Sequence, residues 1–196
     1  MARAQQFSEG FLLLIVVSLI LVVVAVGFAA VYNSLAKMRN TVRTAWSDID
    51  VYLKRRADLI PALVETTKGY SGFERDTLEA VTRMRSGVAD SSLPPGQRAK
   101  AVGDLEGRLI SILAIAEQYP ELKASANFLK LQEELTDTEG LVANARRYYN
   151  AAVRDYNTMI HSFPSGLVAA LGGFRPAEFF SIEDNAERNA PQIGLG

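Results

Sequence analysis

Residues 11–32 read FLLLIVVSLILVVVAVGFAAVY, 22 residues without one charge and with Ser18 as the only polar interruption before Tyr32. A bilayer core of about 30 Å needs about 20 helical residues at 1.5 Å rise per residue, so this stretch fits one full span. Tyr32 ends it with an amphipathic ring suited to the depth of the interface. A cleaved signal peptide is the alternative, and Gly27-Phe28-Ala29 resembles a weak small-x-small cleavage site. The apolar run is longer than the usual signal core of about 7–15 residues, which favours a retained anchor.

The basic residues flanking the run set an orientation. Arg3 stands before it, whereas Lys37, Arg39, Arg43, Lys54, Arg55 and Arg56 follow it. Lys and Arg in excess mark the cytoplasmic side, so the expectation is an outside N-terminus and a cytoplasmic domain. Residues 1–10 are then a short N-terminal tail, 11–32 the span, 33–163 a helical bundle and 164–196 a C-terminal tail.

After the span no period-2 alternation and no Asn-Gly or Asp-Gly hairpin signal occurs. Apolar residues instead recur in steps of three and four, the spacing of one helix face. A first stripe starts at Tyr32 and continues through Leu35, Val42, Trp46, Ile49, Leu53, Ile60 and Leu63 to Tyr70, with Arg39 and Arg56 in two of its slots. No glycine or proline separates Tyr32 from Trp46, so span and first bundle helix read as one rod. Pro61 lies inside the stripe and predicts a kink near residues 59–61. A second helix is expected over 73–89, with Leu78, Val81, Met84 and Val88 inward. The Ser-Ser-Leu-Pro-Pro-Gly stretch at 91–96 is the clearest loop.

A third helix is expected over 97–118 with Val102, Leu105, Leu109, Ile112 and Ala116 inward, and a fourth from 121 or 125 to 163. The stripe of that last helix includes Phe128, Leu135, Thr138, Val142, Tyr149, Tyr156 and Phe163. About 40 helical residues make a rod of roughly 60 Å, which is unstable alone in water and must lay its stripe on a neighbour. Short connections favour antiparallel neighbours. The predicted fold is all-α: a transmembrane helix continuing into an elongated antiparallel up-and-down bundle of three or four helices. An irregular tail carries Phe174, Phe179 and Phe180, and packs on its own bundle or on a neighbouring subunit.

Several function classes are excluded or weakened by composition. A net charge of −1 argues against a nucleic-acid partner, since phosphate neutralisation needs surplus Lys and Arg. The absence of cysteine removes disulfides, thiolate nucleophiles and cysteine-ligated metals, and a single histidine, His161, removes multi-histidine sites. Asp48, Asp50, Asp58 and Glu65 place carboxylates on the first helix, and Asp58 and Glu65 share a face at a spacing of seven. A di-metal bundle would need Glu-x-x-His pairs, and no glutamate stands three residues before His161. No catalytic residue, cofactor or metal is therefore expected.

Arg39 and Arg56 are the more informative residues, because a charge in a bundle core is costly unless paired. Glu133, Glu134, Asp137 and Glu139 are candidate partners, and the favoured expectation turns Ala57 inward and lets Arg56 snorkel out. A Tyr-Asn pair repeats seven residues apart, at Tyr149-Asn150 and Tyr156-Asn157. It is read as an aromatic recognition face or, more commonly, as core.

The run AWSDIDVYLKRRADLIPALVETTKGY at 45–70 resembles the signature of the bacterial LemA family. The resemblance continues at 127–139 (NFLKLQEELTDTE), at 148–157 (YYNAAVRDYN), and at Phe163-Pro164, Gly173-Phe174 and Phe179-Phe180. Ala62 stands where asparagine is expected after Ile-Pro, and Ala57 where a polar residue is common. The resemblance implies a membrane-anchored all-helical protein built around a long helix pair, with no established catalytic activity and an interaction role. The functional expectation is a non-enzymatic membrane scaffold that self-associates. Ala25 and Ala29, with Gly27 between them, would let two anchor helices approach closely. The alternative is a regulatory or adaptor module for a membrane enzyme such as a protease or transporter. Expected partners are the lipid bilayer, a second copy or a membrane protein. The interaction candidates are Arg39, Arg56, Asp58, Tyr149, Tyr156, Phe174, Phe179 and Phe180.

Overall fold

The structure is a computed structural model that describes residues 2–70, 73 and 75–181, with side chains from residue 10 onward. Among the described residues six helices follow one another: α1 (Ala2–Thr67), α2 (Arg75–Ala89), α3 (Pro95–Ala116), α4 (Pro120–Lys123), α5 (Ala126–His161) and α6 (Ser165–Leu171). No strand occurs among the described residues, so the chain is all-α. α1 holds the whole apolar run and is long and apolar enough to cross a membrane, with mean hydropathy 3.3 and none of its most apolar window buried. Pro61 lies inside α1 on an exposed position, and the helix continues beyond it to Thr67.

The chain divides into two compact units: residues 1–42 with 154–177, and residues 43–153 with 178–196. In the larger unit, α1 and α3 run the same way, because Asp50 bonds Arg98 while Arg56 pairs with Glu106 further along both helices. α5 runs opposite to them, since Tyr149 packs on Trp46 near the Arg98 end and Glu139 acts on Glu106 at the other. α2 returns antiparallel to α3, its Val88 carbonyl accepting a bond from Arg98. The result is an up-and-down four-helix arrangement.

Its core follows the apolar stripes. Ile49, Leu53, Ile60 and Leu63 of α1 and Val102, Leu105, Leu109 and Ile112 of α3 are buried, as are Leu78, Val81 and Val88 of α2. Met84 is only half-buried. Ala45 and Ala57 are also fully buried, because a helix surrounded by several neighbours buries a stripe wider than one seam. Tyr119 meets Tyr70 (5.8 Å between ring centroids) and Phe73 (6.0 Å) where α3 ends.

In the smaller unit, Ser34 of α1 faces Met159 of α5, with its hydroxyl 3.7 Å from the sulfur. Two features there depart from the sequence reading. α5 stops at His161, so Phe163, expected on its inward stripe, is 87% exposed. The segment after Pro164 is not wholly irregular, since residues 165–171 form α6. That helix is two turns long, too short for periodicity to announce it. Its stop is a Schellman-type cap, with Gly173 at φ +68° and the Phe174 amide donating to the Ala169 carbonyl at 3.0 Å. A Cβ at Gly172 would lie 2.8 Å from the Phe174 ring, so close packing of that ring also requires glycine there.

Candidate functional site

The larger unit gathers its aromatic and charged residues around Trp46, the single tryptophan. Its indole packs against Tyr149 of α5 (5.3 Å) and Phe180 of the C-terminal segment (5.8 Å), and the Arg98 guanidinium lies 5.5 Å from its ring. Arg98 is fully buried. Its Nε donates to the Val88 carbonyl at 3.0 Å and its Nη2 to the Asp50 carboxylate at 2.6 Å, while Nη1 is buried without a hydrogen-bond partner. An arginine is tolerated here because the planar fork satisfies two acceptors and lays its face on an aromatic ring.

The C-terminal segment is held by side chains imitating peptide groups. Asn150 Nδ2 donates to the Phe180 carbonyl at 3.0 Å, and the Phe180 amide donates to Asn150 Oδ1 at 2.9 Å. The Tyr149 hydroxyl donates to the Glu178 carbonyl at 2.8 Å. Burial first, and the Glu178 charge second, push the Tyr149 phenol up to about 12. In the smaller unit Asn157 makes the same pair of bonds to Ala177, at 2.9 and 2.8 Å.

A second polar site lies further along α1. Arg56 is buried, its guanidinium 3.9 Å from Glu106, with Nε unpartnered. Arg56 thus does not snorkel outward as the sequence reading favoured. Both Arg56 and Ala57 face the interior, because the widened stripe accommodates the two neighbouring positions. Of the expected partners, Glu139 enters only indirectly, through its effect on Glu106. Burial raises the Glu106 carboxyl above its ordinary range; Arg56 opposes that shift and Glu139 adds to it.

The smaller unit has its own cation–aromatic stack. Phe174 is buried against Tyr32 in an edge-to-face contact at 5.2 Å, and the Arg39 guanidinium lies over the Phe174 ring, 4.8 Å from its centroid. Arg39 Nε is buried and unpartnered.

The sequence candidates therefore divide. Tyr149, Tyr156, Phe174 and Phe180 are buried, Arg56 is buried and paired, and Arg39 is half-buried on an aromatic ring. Asp58 is exposed, 3.5 Å from Arg85, and Phe179 is 43% exposed. Arg98 escaped the reading, although the α3 stripe extended back four residues from Val102 lands on it.

What this arrangement offers chemically is position rather than reactivity. Among the described residues no group of three or more His, Cys, Asp or Glu is placed to hold a metal ion. His161 is exposed, bonded through Nδ1 to the Asn157 carbonyl at 2.7 Å. The groove beside Val64, Phe73 and Leu78, about 790 Å³, is rimmed by Glu65, Lys68, Glu79 and Arg83 with no convergent polar set at its floor.

The LemA family profile matches residues 45–194, which is most of the chain and includes Trp46, Asp50, Arg98, Tyr149, Asn150 and Phe180. The chain belongs to the LemA family. LemA is not known as an enzyme family. Relatives include Magnetosome protein MamQ 2 of Paramagnetospirillum magneticum, 26% identical over 174 residues, covering 76% of this chain and 64% of the relative. Protein LemA of Metamycoplasma hominis is 27% identical over 137 residues, covering 70% of this chain and 63% of the relative. Magnetosome protein MamQ of Magnetospirillum gryphiswaldense is 24% identical, with 76% and 64% covered. The chain thus spans slightly less than two thirds of the length of these LemA-type relatives. Membrane association of a helical protein is the functional statement that the family and the apolar helix jointly support.

Proposed function

We propose that this protein is a non-enzymatic scaffold, anchored in a membrane by α1 and self-associating there. One observation carries the reading: a single helix, Ala2–Thr67, is uncharged over residues 11–32, exposed throughout 11–30, and supplies buried positions from Leu35 onward. Bare apolar surface of that length is stable only in lipid, and the chain that spans the lipid is the chain that organises the bundle. Self-association is supported by Ala25, Gly27 and Ala29 on the unburied span, where small residues permit close helix approach.

The test is the mass of the full chain in native-like lipid bilayers over a range of protein densities. More than one copy per particle is expected. A monomer at every density refutes self-association, and one stoichiometric membrane protein recovered in place of a second copy replaces it with the adaptor reading. Orientation belongs to the same proposal: the basic residues after the span support a cytoplasmic bundle. External protease on intact cells is expected to spare residues 40–196, and digestion from outside reverses the assignment.

A further inference from the structure

The two most exposed large apolar side chains among the described residues are outside the span: Phe163 at 87% and Leu171 at 79%, both above Phe11, the most exposed in the span at 67%. Leu167, at 62%, joins them. Leu167 and Leu171 stand four residues apart and share one face of α6, whose opposite face buries Ser165, Val168 and Ala169.

The location of α6 says what covers that face. The helix lies in the chain between Met159, which meets Ser34, and Phe174, which packs edge-on against Tyr32. Tyr32 is the last residue of the uncharged run, the position where a span leaves the hydrocarbon. α6 is therefore flanked in the chain by residues that pack at the Tyr32 end of the span, the depth at which a span meets the headgroups. Charge agrees with this. Outside the span, at 33–42 and 154–177, the smaller unit carries Lys37, Arg39, Arg154 and Arg175 against Asp155 alone, four basic to one acidic, in a chain of net charge −1. Lys37 and Arg175 are exposed. Cations beside an apolar face are the pattern of a segment seated on an anionic lipid surface.

We infer that α6, with Phe163 before it, is an interfacial membrane foot. Phe163, Leu167 and Leu171 enter the headgroup region, and Lys37 and Arg175 meet anionic lipid phosphates. The C-terminal part of the chain then contacts the same bilayer surface that α1 leaves. This inference rests on the anchoring proposed above.

Because the chain has no cysteine, one introduced residue takes a fluorophore alone. The full chain with Leu171→Cys, and separately Leu167→Cys, is labelled with an environment-sensitive probe in vesicles of equal parts phosphatidylcholine and phosphatidylglycerol. Nitroxide lipids place a quencher either near the headgroup or deep in the acyl chain, and Val16→Cys reports on the span itself. The expected result is several-fold quenching at both leucine sites by the shallow nitroxide, with Val16→Cys quenched chiefly by the deep one. If Val16→Cys is quenched while the leucine sites are not, the foot is refuted and the anchor stands. Iodide access then tells whether water or a second protein covers the face. If Val16→Cys is not quenched either, the anchoring itself fails and the foot with it.

Discussion

Arg98 and Asp50 form an ion pair beside Trp46, and the two partners are not equivalent. The Arg98 side chain is fully buried, whereas that of Asp50 is 37% exposed. Removing Asp50 strands a cation with one carbonyl bond and an indole face. Breaking a buried pair from one side costs about 3–5 kcal/mol, and water entering beside the partly open carboxylate site reduces this to about 2–4 kcal/mol. Removing Arg98 in favour of methionine strands nothing charged, since Asp50 is already partly hydrated. It forfeits the bond to Val88, but it also removes the unpartnered Nη1, whose burial costs about 1–3 kcal/mol. Arg98→Met is therefore expected to lie within about 1.5 kcal/mol of the native chain. Asp50→Ala is expected to lose about 2–4 kcal/mol, a fall in Tm of roughly 4–16 °C for a chain of this size. The assay is thermal and urea unfolding of the full chain in detergent, followed by helical circular dichroism and by emission of Trp46, 5.5 Å from the guanidinium. The double variant should resemble Arg98→Met alone. If Arg98→Met costs as much as Asp50→Ala or more, the argument from stranded charge is wrong.

Asn150→Leu removes both bonds to Phe180 and should cost about 1–3 kcal/mol. It should also shift Trp46 emission to the red as the C-terminal segment leaves the indole, and an unchanged spectrum would show that the asparagine does not hold it. Tyr149 remains protonated in the folded chain up to about 12 while the unfolded chain releases its phenolic proton near pH 10. This group leaves stability unchanged below about pH 10 and lowers it between about 10 and 12. Unfolding titrations of Tyr149→Phe beside the native chain should diverge only in that window.

Much of the fold was legible because bundle helices announce themselves by periodicity. The inward sets of α2 and α3, Met84 apart, needed only the three-four spacing; the break before α3 was marked by its prolines, but Pro95 and Gly96, expected in the loop, open the helix, since proline suits a first helical position. The same rule failed where it was carried past its physical range. It extended the α5 stripe to Phe163, two residues beyond the true helix end, and it gave no notice of α6, whose seven residues hold fewer than two full repeats. It also drew each core seam too narrow. A single seam describes two helices in contact, whereas Ala45 and Ala57 are buried because α1 has neighbours on more than one side.

The buried arginines show the same limit from the chemical side. Spacing places a residue on a face, but it does not say whether a long cation there curls outward or remains inside. That depends on acceptors supplied by other helices. Arg56 remains inside because Glu106 of α3 reaches it, a partner outside the acidic cluster of α5 where sequence proximity to the seam had directed the search. Arg98 remains inside because a carbonyl at the end of α2, a carboxylate on α1 and an indole converge on it. Each of these contacts joins residues distant in the chain, and none leaves a local signature. The asparagines are subtler still. Tyr-Asn repeated at a spacing of seven looks like one recognition face. The tyrosines are in fact core, and the asparagines act as side-chain peptide groups that bind the returning chain. A repeat in a helix thus signals that something lies along that face. Only the donors and acceptors it carries say what: a matched amide pair calls for backbone, and here the backbone is the protein's own.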